Sequence, residues 1–330
     1  MTLTQQTPDS RSELSRKDSG VLADRLFSWW TLGTGLLVLA ILGLILITTT
    51  TEAWPALREM GLGFITGRTW DPNPASGNPV FGALPFLYGT LVTSLIALVF
   101  AVPVSIGIAL FLTELAPRRL RTAAVTIIDL LAAVPSVVFG LWGVLVVAPA
   151  LVPVYSGLHD GLGGVPVLGR LFGETGSGRN FMTAGLILAI MVTPIITSIS
   201  REVFATVPRA DKDAARALGA TRWEMIRGAV FPHSFGGIVG AVMLGLGRAM
   251  GETIAVALII GGATNITANL FAPGNTMAAV IVQQFGESTG TFTSALIGLG
   301  VLLFAVTVLI NLAAQNIVRR AERRMKGSVA

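Results

Sequence analysis

Polar and apolar positions along this chain fall into long blocks rather than an alternating pattern. Residues 1–26 are polar, rich in Ser and Thr and without the small-residue cleavage site of a signal peptide, and they are expected to form a disordered tail. From Trp29 to about Thr49 runs an apolar stretch of about 20 residues, enough to cross a hydrocarbon core of ~30 Å. Glu52–Val80, with a tract rich in Pro, Gly and Asn from Asp71 to Pro79, reads as an external loop. Gly82–Leu115 has no polar break. It is too long for one upright span and too short for two spans with a turn, so it predicts one tilted helix kinked near Pro103. Further spans are predicted over about Ala123–Val147 (carrying Asp129 and Pro135), Phe181–Ser200, Ser234–Gly262 and Thr291–Ile317. Ala148–Arg179 and Ala263–Ser288 read as loops. The pattern predicts an all-α integral membrane protein with six transmembrane helices.

Charge placement tests that count. With six spans, 18 of the 23 Lys and Arg residues collect on one side: in the N-terminal tail, at Arg118–Arg121, in Arg201–Arg227 and in the C-terminal Arg319–Lys326. Arg58, Arg68, Arg170 and Arg179 lie opposite, and Arg248 alone falls inside a span. Splitting 82–115 into two spans would set the N-terminal tail against every later basic cluster. The positive-inside rule therefore predicts both termini in the cytoplasm. At 52% hydrophobic and 12% charged, the chain is not a soluble domain, which carries about 25% charge. Basic residues here report topology, so lipid and not nucleic acid is the expected surroundings. With no Cys and only His159 and His233, in separate loops, no metal site is expected. Trp29, Trp30, Trp54 and Trp70 read as interfacial anchors.

Two charges stand inside the apolar blocks and carry the candidate chemistry. Arg248 and Glu252 are four apart and would share one face of a continuous helix. Arg248 lies about 20 Å into a helix starting near Ser234, where an ionisable residue needs a partner or a water-filled path. A guanidinium fork matches tetrahedral oxyanions, so Arg248 reads as an anion-attracting point held by Glu252. The alternative is a structural ion pair joining two helices. Gly236 and Gly240, then Gly247 and Gly251, have the spacing that permits close helix approach. Pro135-Ser136 either frees a carbonyl toward a cavity or only kinks its span. Asp129 is expected to pair with loop arginines. Gly173–Asn180 looks like a phosphate-cradling loop but has Arg179 and Asn180 where Lys and Ser/Thr are needed. The chain is thus expected to have no nucleotide site and no catalytic residues of its own.

The most specified polar stretch is Thr206–Pro232. Asp211 is positioned to cap a helix over Lys212–Leu218 that Gly219 ends in the left-handed conformation. Thr221 and Glu224 have capping-box spacing for a second helix running out at Pro232. Asp213-Ala214-Ala215, then Gly219 and Pro232, resembles the EAA loop of ABC importer permeases, with Asp213 where Glu is usual and Ala229 where a larger aliphatic is usual. Leu131–Gly143 and Gly245–Thr253 resemble the permease of the phosphate-specific ABC importer, of the PstC type. The similarity runs from about Tyr88 to Gly262.

That resemblance implies a type I ABC importer permease fold in the bacterial inner (cytoplasmic) membrane. It implies a tail at 1–26, a first helix and external loop at 27–81, a five-helix core at 82–317 with coupling loop 201–233, and a basic tail at 318–330. It implies as partners a homologous PstA-type permease, two cytoplasmic ABC ATPases that use ATP and Mg, and an extracytoplasmic phosphate-binding protein; this chain would bind no cofactor. Arg248 and Glu252 would serve phosphate passage, with Pro135 and Ser136 also on the path. Asp213, Ala214, Ala215 and Gly219 would meet the ATPase. Trp223 would either plug into the ATPase cleft or pack on the protein's own spans. Other readings of the residues are the same architecture importing sulfate or molybdate, an ATPase-independent secondary transporter, or a membrane enzyme.

Overall fold

Proline placement explains much of where this chain bends. The computed structural model describes residues 20–73 and 77–327, and the chain divides into two units, up to Thr51 and from Glu52 onward. The first unit is the helix α1 (Gly20–Met60) as far as Thr51, with Trp29, Trp30 and Leu36–Leu39 exposed along it. Of the tail predicted over 1–26, residues 1–19 lie outside the described residues, and from Gly20 the chain is helical.

The second unit begins with the end of α1, α2 (Gly63–Thr66) and a short antiparallel hairpin, β1 (Trp70–Asp71) with β2 (Val80–Phe81). Then come α3 (Leu84–Leu110), α4 (Arg118–Ala132), α5 (Ser136–Trp142), α6 (Ala148–Leu162), α7 (Leu168–Leu171) and α8 (Phe181–Ala205). The chain finishes with α9 (Arg209–Ala217), α10 (Arg222–Met225), α11 (Phe231–Gly251), α12 (Ile254–Ile259), α13 (Met277–Gln284) and α14 (Thr291–Gly327). Among the described residues six helical stretches are long and apolar enough to cross a membrane: Asp24–Met60, Leu84–Leu115, Ser136–Leu162, Phe181–Ala205, Arg222–Gly251 and Thr291–Val318.

Three π-helical turns, Phe111–Leu115, Gly143–Val147 and Ile226–Val230, precede Pro117, Pro149 and Pro232. In each, the residue just before the proline donates its N–H five residues back: Ala116 to Phe111, Ala148 to Gly143 and Phe231 to Ile226. A proline lacks an N–H and its ring crowds the carbonyl four residues earlier. A wider turn placed immediately upstream removes that conflict. Hence Pro232 does not end the second loop helix as expected; α10, the π turn and α11 run on as one stretch.

Helix α8 is the axis of the second unit: 61% of its apolar stretch is buried, against at most 33% in the other spans. Its Ile187, Leu188, Val192 and Ile196 meet Ile96, Ala97, Phe139, Ala241 and Ala255 in the main core. A second cluster gathers Phe64, Trp70, Phe81 and Phe86 against Leu296 and Leu299 of α14. Trp70 is therefore not an interfacial anchor but an interior one, stacked edge-on against Phe81 and Phe86, with Nε1 donating to Gln284 Oε1 at 2.9 Å.

Leu84–Leu115 forms one helical stretch within the run predicted to be a single helix, with Pro103 inside it. Other boundaries move. Helix α1 extends into the predicted external loop as far as Met60. The apolar run read as Ala123–Val147 is two elements: α4 ends at Ala132 and α5 starts after Pro135, whose backbone is extended (φ −60°, ψ 139°). The third span is Ser136–Leu162, occupying much of the predicted 148–179 loop. Helix α4, charged at its start and with no buried residue, carries Asp129 exposed and, among the described residues, without an ion pair, not joined to loop arginines. The loop predicted at 263–288 contains α13, and α14 continues through the basic C-terminal segment to Gly327. The phosphate-loop lookalike instead builds the start of α8, where buried Asn180 accepts from Thr183 N–H at 2.8 Å.

Candidate functional site

Helix α11 stops at Gly251, well short of the end predicted for the fifth span. Glu252 is extended (φ −68°, ψ 126°), and α12 begins two residues later. The buried Glu252 carboxylate accepts from Ala255 N–H at 3.4 Å, occupying a first-turn donor of α12 that would otherwise lack a partner. Arg248 sits in the last turn of α11, where free carbonyls and the helix dipole favour a cation; Glu252 sits at an end that favours an anion. The expected one-face pairing of Arg248 with Glu252 does not form, because the helix that would carry it ends between them. Among the described residues Arg248 makes neither an ion pair nor a side-chain hydrogen bond. Glu252 is a cap, not the partner that holds Arg248.

Capping makes Glu252 testable on its own. Glu252→Ala is expected to lower stability by about 1 kcal/mol, while Glu252→Gln, which keeps a carbonyl acceptor, should cost less. Thermal unfolding of the purified protein in detergent measures both.

Arg248 is exposed on a groove of about 640 Å³ bordered by Ile195 of α8, Gly240, Met243 and Gly247 of α11, and Asn311 of α14. Among the described residues no acidic side chain lines it. A guanidinium in the last turn of a spanning helix is unfavourable in lipid unless water or a counter-ion reaches it, and an uncompensated one in a groove attracts oxyanions. Glu252, Pro135 and Ser136 do not border this groove. Pro135 and Ser136 instead start α5, on which α12 packs so closely that a Cβ at Gly140 would come 2.9 Å from Ala255 Cα.

The glycines of α11 also sort differently from their spacing. A Cβ at Gly240, Gly247 or Gly251 would meet nothing within 4 Å, so these are not the close-approach positions. Those are Gly237, where a Cβ would come 2.5 Å from Val203, and Gly245, 2.7 Å from Ile196, both against α8. One glycine face of α11 therefore seals it to the core and the other leaves the Arg248 groove open.

The loop between α8 and α11 is built largely as expected. Gly219 has φ +84°, and Thr221 and Glu224 form a capping box: Glu224 N–H donates to Thr221 Oγ1 at 3.3 Å and Thr221 N–H to Glu224 Oε2 at 2.8 Å. Asp211, however, is not a cap. Helix α9 starts at Arg209 after Pro208, which puts Asp211 in the first turn, where the dipole favours it. Asp213 pairs with Arg216 at 2.9 Å. Ala214 is exposed, and Ala215 packs against the cluster of Phe204, Met225, Ile226 and Val230 that fixes the loop to the core. Trp223 is 61% exposed, and Leu218 beside Gly219 is 90% exposed.

A further contact was not foreseen. Lys212 of α9 forms a nearly buried ion pair with Glu114, in the π turn that ends α3. Its members lie 98 residues apart, and no local pattern announces it. Leu218 had a faint signal, an apolar residue at a helix end before a left-handed glycine, and Asn311 had a stronger one, an amide inside an apolar block.

Residues 101–327 match the family described as binding-protein-dependent transport system inner membrane component. The chain belongs to this family. It is 43% identical over 305 residues to the phosphate transport system permease protein PstC of Mesorhizobium japonicum, covering 92% of each chain. It is 45% identical over 270 residues to the protein of that name from Xylella fastidiosa (82% of each), and 40% over 301 residues to that from Haemophilus influenzae (91% and 94%). A bacterial alginate ABC transporter, solved in complex with an alginate pentasaccharide-bound periplasmic protein, aligns with a TM-score of 0.59 over 92% of this chain and 98% of its own, at 16% identity. A second structure, of a bacterial ABC transporter involved in alginate import, aligns with a TM-score of 0.55. The fold is that of a type I ABC importer permease, a multi-pass, all-α membrane protein.

Proposed function

We propose that this permease is the membrane subunit of an ATP-driven importer for inorganic phosphate. In this reading it lies in the bacterial inner membrane with both termini cytoplasmic, the side on which its basic clusters collect. The observation that carries the substrate assignment is Arg248: an exposed guanidinium inside a span, without a carboxylate partner among the described residues, on a groove lined mainly by glycine and aliphatic side chains. The naming of the relatives as phosphate transport permeases supports the choice of oxyanion. Glu252 fixes the break in the helix and so positions Arg248, while Pro135 and Ser136 start the α5 segment that supports α12.

The same reading gives the loop its task. Exposed Leu218 and Trp223, held on a loop whose base is packed into the core, are suited to enter a cleft on a cytoplasmic ATPase. Two such ATPases would bind ATP and Mg, a homologous permease of the PstA type would complete the path, and an extracytoplasmic phosphate-binding protein would deliver the ion. Closure of the ATPases would draw the loops together and tip the groove between its two openings. A self-contained secondary transporter would have no use for two exposed apolar side chains at that place. Combined Leu218→Ala and Trp223→Ala substitution is expected to lower recovery of the ATPases with the affinity-tagged permease at least fivefold while leaving its own thermal unfolding unchanged. Equal recovery would remove the loop from the ATPase contact.

The substrate is tested with the assembled transporter in liposomes supplied with ATP, comparing uptake of phosphate, sulfate and molybdate. Phosphate accumulation that stops without ATP is the expected result. Transport of sulfate or molybdate in its place would keep the architecture and replace the ion.

A further inference from the structure

The Arg248 groove does not end at Asn311. It adjoins a second hollow of about 330 Å³ bordered by Gly236, Val239, Gln315 and Val318, and the two share Gly240, Met243 and Asn311. Leaving Arg248, the borders run backward along α11, from 247 to 236, and forward along α14, from 311 to 318. Both directions lead toward the end of α11 that continues into the coupling loop. At ~1.5 Å per residue, 248 to 236 is about 18 Å of groove. Asn311 and Gln315 are four apart and so share one face of α14. Among the described residues neither amide has a hydrogen-bond partner within the chain, while the side chain of Thr307, one turn earlier, bonds back to Leu303 O at 2.7 Å. Unpaired amides in a lipid-embedded helix are unfavourable unless they face water, a partner or a ligand.

We infer that Asn311 and Gln315 form an uncharged ladder that carries phosphate from Arg248 toward the coupling-loop end of the membrane; this deepens, and rests on, the reading of Arg248 as the ion site. The chemistry suits the task. An amide NH₂ donates to a phosphate oxygen and its carbonyl accepts from a P–OH, so each rung satisfies both kinds of group on a protonated phosphate. Sulfate has no proton to offer at neutral pH and leaves the carbonyl unmatched. Being neutral, the rungs bind more weakly than a guanidinium, which gives the ion a route off Arg248. Gly240 borders both hollows, and the space beside it is open: a Cβ there meets nothing within 4 Å.

The chain contains no cysteine, so Asn311→Cys and Gln315→Cys each give a single thiol on this subunit. In the assembled transporter in liposomes, both are expected to react with a small charged methanethiosulfonate reagent, and to react at least fivefold more slowly when inorganic phosphate is present during turnover. Leu309→Cys, at an exposed position two residues away and about opposite on α14, should stay unreactive. If the Asn311→Cys and Gln315→Cys thiols are as inert as the one at 309, lipid or a partner helix covers that face and the ladder is wrong, whatever Arg248 does. Uptake gives the second readout. Asn311→Leu is expected to lower it at least tenfold with ATP hydrolysis retained, and Asn311→Gln to restore most of it. Wild-type uptake by Asn311→Leu would overturn the proposal, and loss of uptake in Arg248→Gln with unaltered Asn311 labelling would locate any failure at one site rather than the other.

Discussion

Lys212→Ala is expected to destabilise the permease by about 3 kcal/mol, because it leaves the Glu114 carboxylate without its counter-charge in a place that water barely reaches. The side chains are 13% and 8% exposed, so solvent screening gives little relief. Glu114→Ala should cost a similar amount by stranding the ammonium group. Replacing both together by leucine should recover most of the loss, since a buried ion pair and a well-packed apolar pair of similar size are often close in free energy. Thermal unfolding of the wild type, the two alanine variants and the Lys212→Ala, Glu114→Ala double variant closes the cycle. Losses that simply add would show that the two side chains do not depend on each other. The pair matters because it ties the loop helix α9 to the end of α3, which lies along the central α8. In the assembled transporter the double-leucine variant, stable but without a directional bond, should hydrolyse ATP with reduced phosphate movement per ATP. Unchanged coupling would make the pair a matter of folding alone.

Much of this architecture was legible because membrane insertion writes itself in long blocks. Six spans, the single stretch over Leu84–Leu115, the turn at Gly219 and the Thr221–Glu224 box follow from hydropathy and capping rules, each of which acts locally. The errors have a common cause: apolar runs report solvent, not helix continuity. The run through Ala123–Val147 hides an amphipathic helix that ends before Pro135. The run through Ser234–Gly262 hides the break at Glu252, where a carboxylate capping Ala255 replaces a helical turn. Reading Arg248 and Glu252 as an i,i+4 pair presupposed the turn that is missing. Gly251 followed by an acidic residue three positions before Ala255 was the available signal, a helix end followed by a cap. The Lys212–Glu114 contact was beyond reach, because it depends on where two distant elements meet.

Arg248→Gln is expected to lower phosphate uptake on the order of a hundredfold, about the 2–3 kcal/mol that a charge-assisted, forked hydrogen bond to an anion contributes. Arg248→Lys keeps the charge without the fork and should fall between. Because Arg248 has no partner among the described residues of its own chain, its removal should leave thermal unfolding and assembly unchanged, which a structural ion pair would not permit. The deciding measurement is ATP-dependent uptake of phosphate by liposomes containing the complete transporter, wild type against Arg248→Gln, with ATP hydrolysis followed in the same vesicles. Uptake that collapses while hydrolysis and assembly persist is the predicted result. Undiminished uptake by Arg248→Gln would contradict the assignment of the groove as the path of the ion.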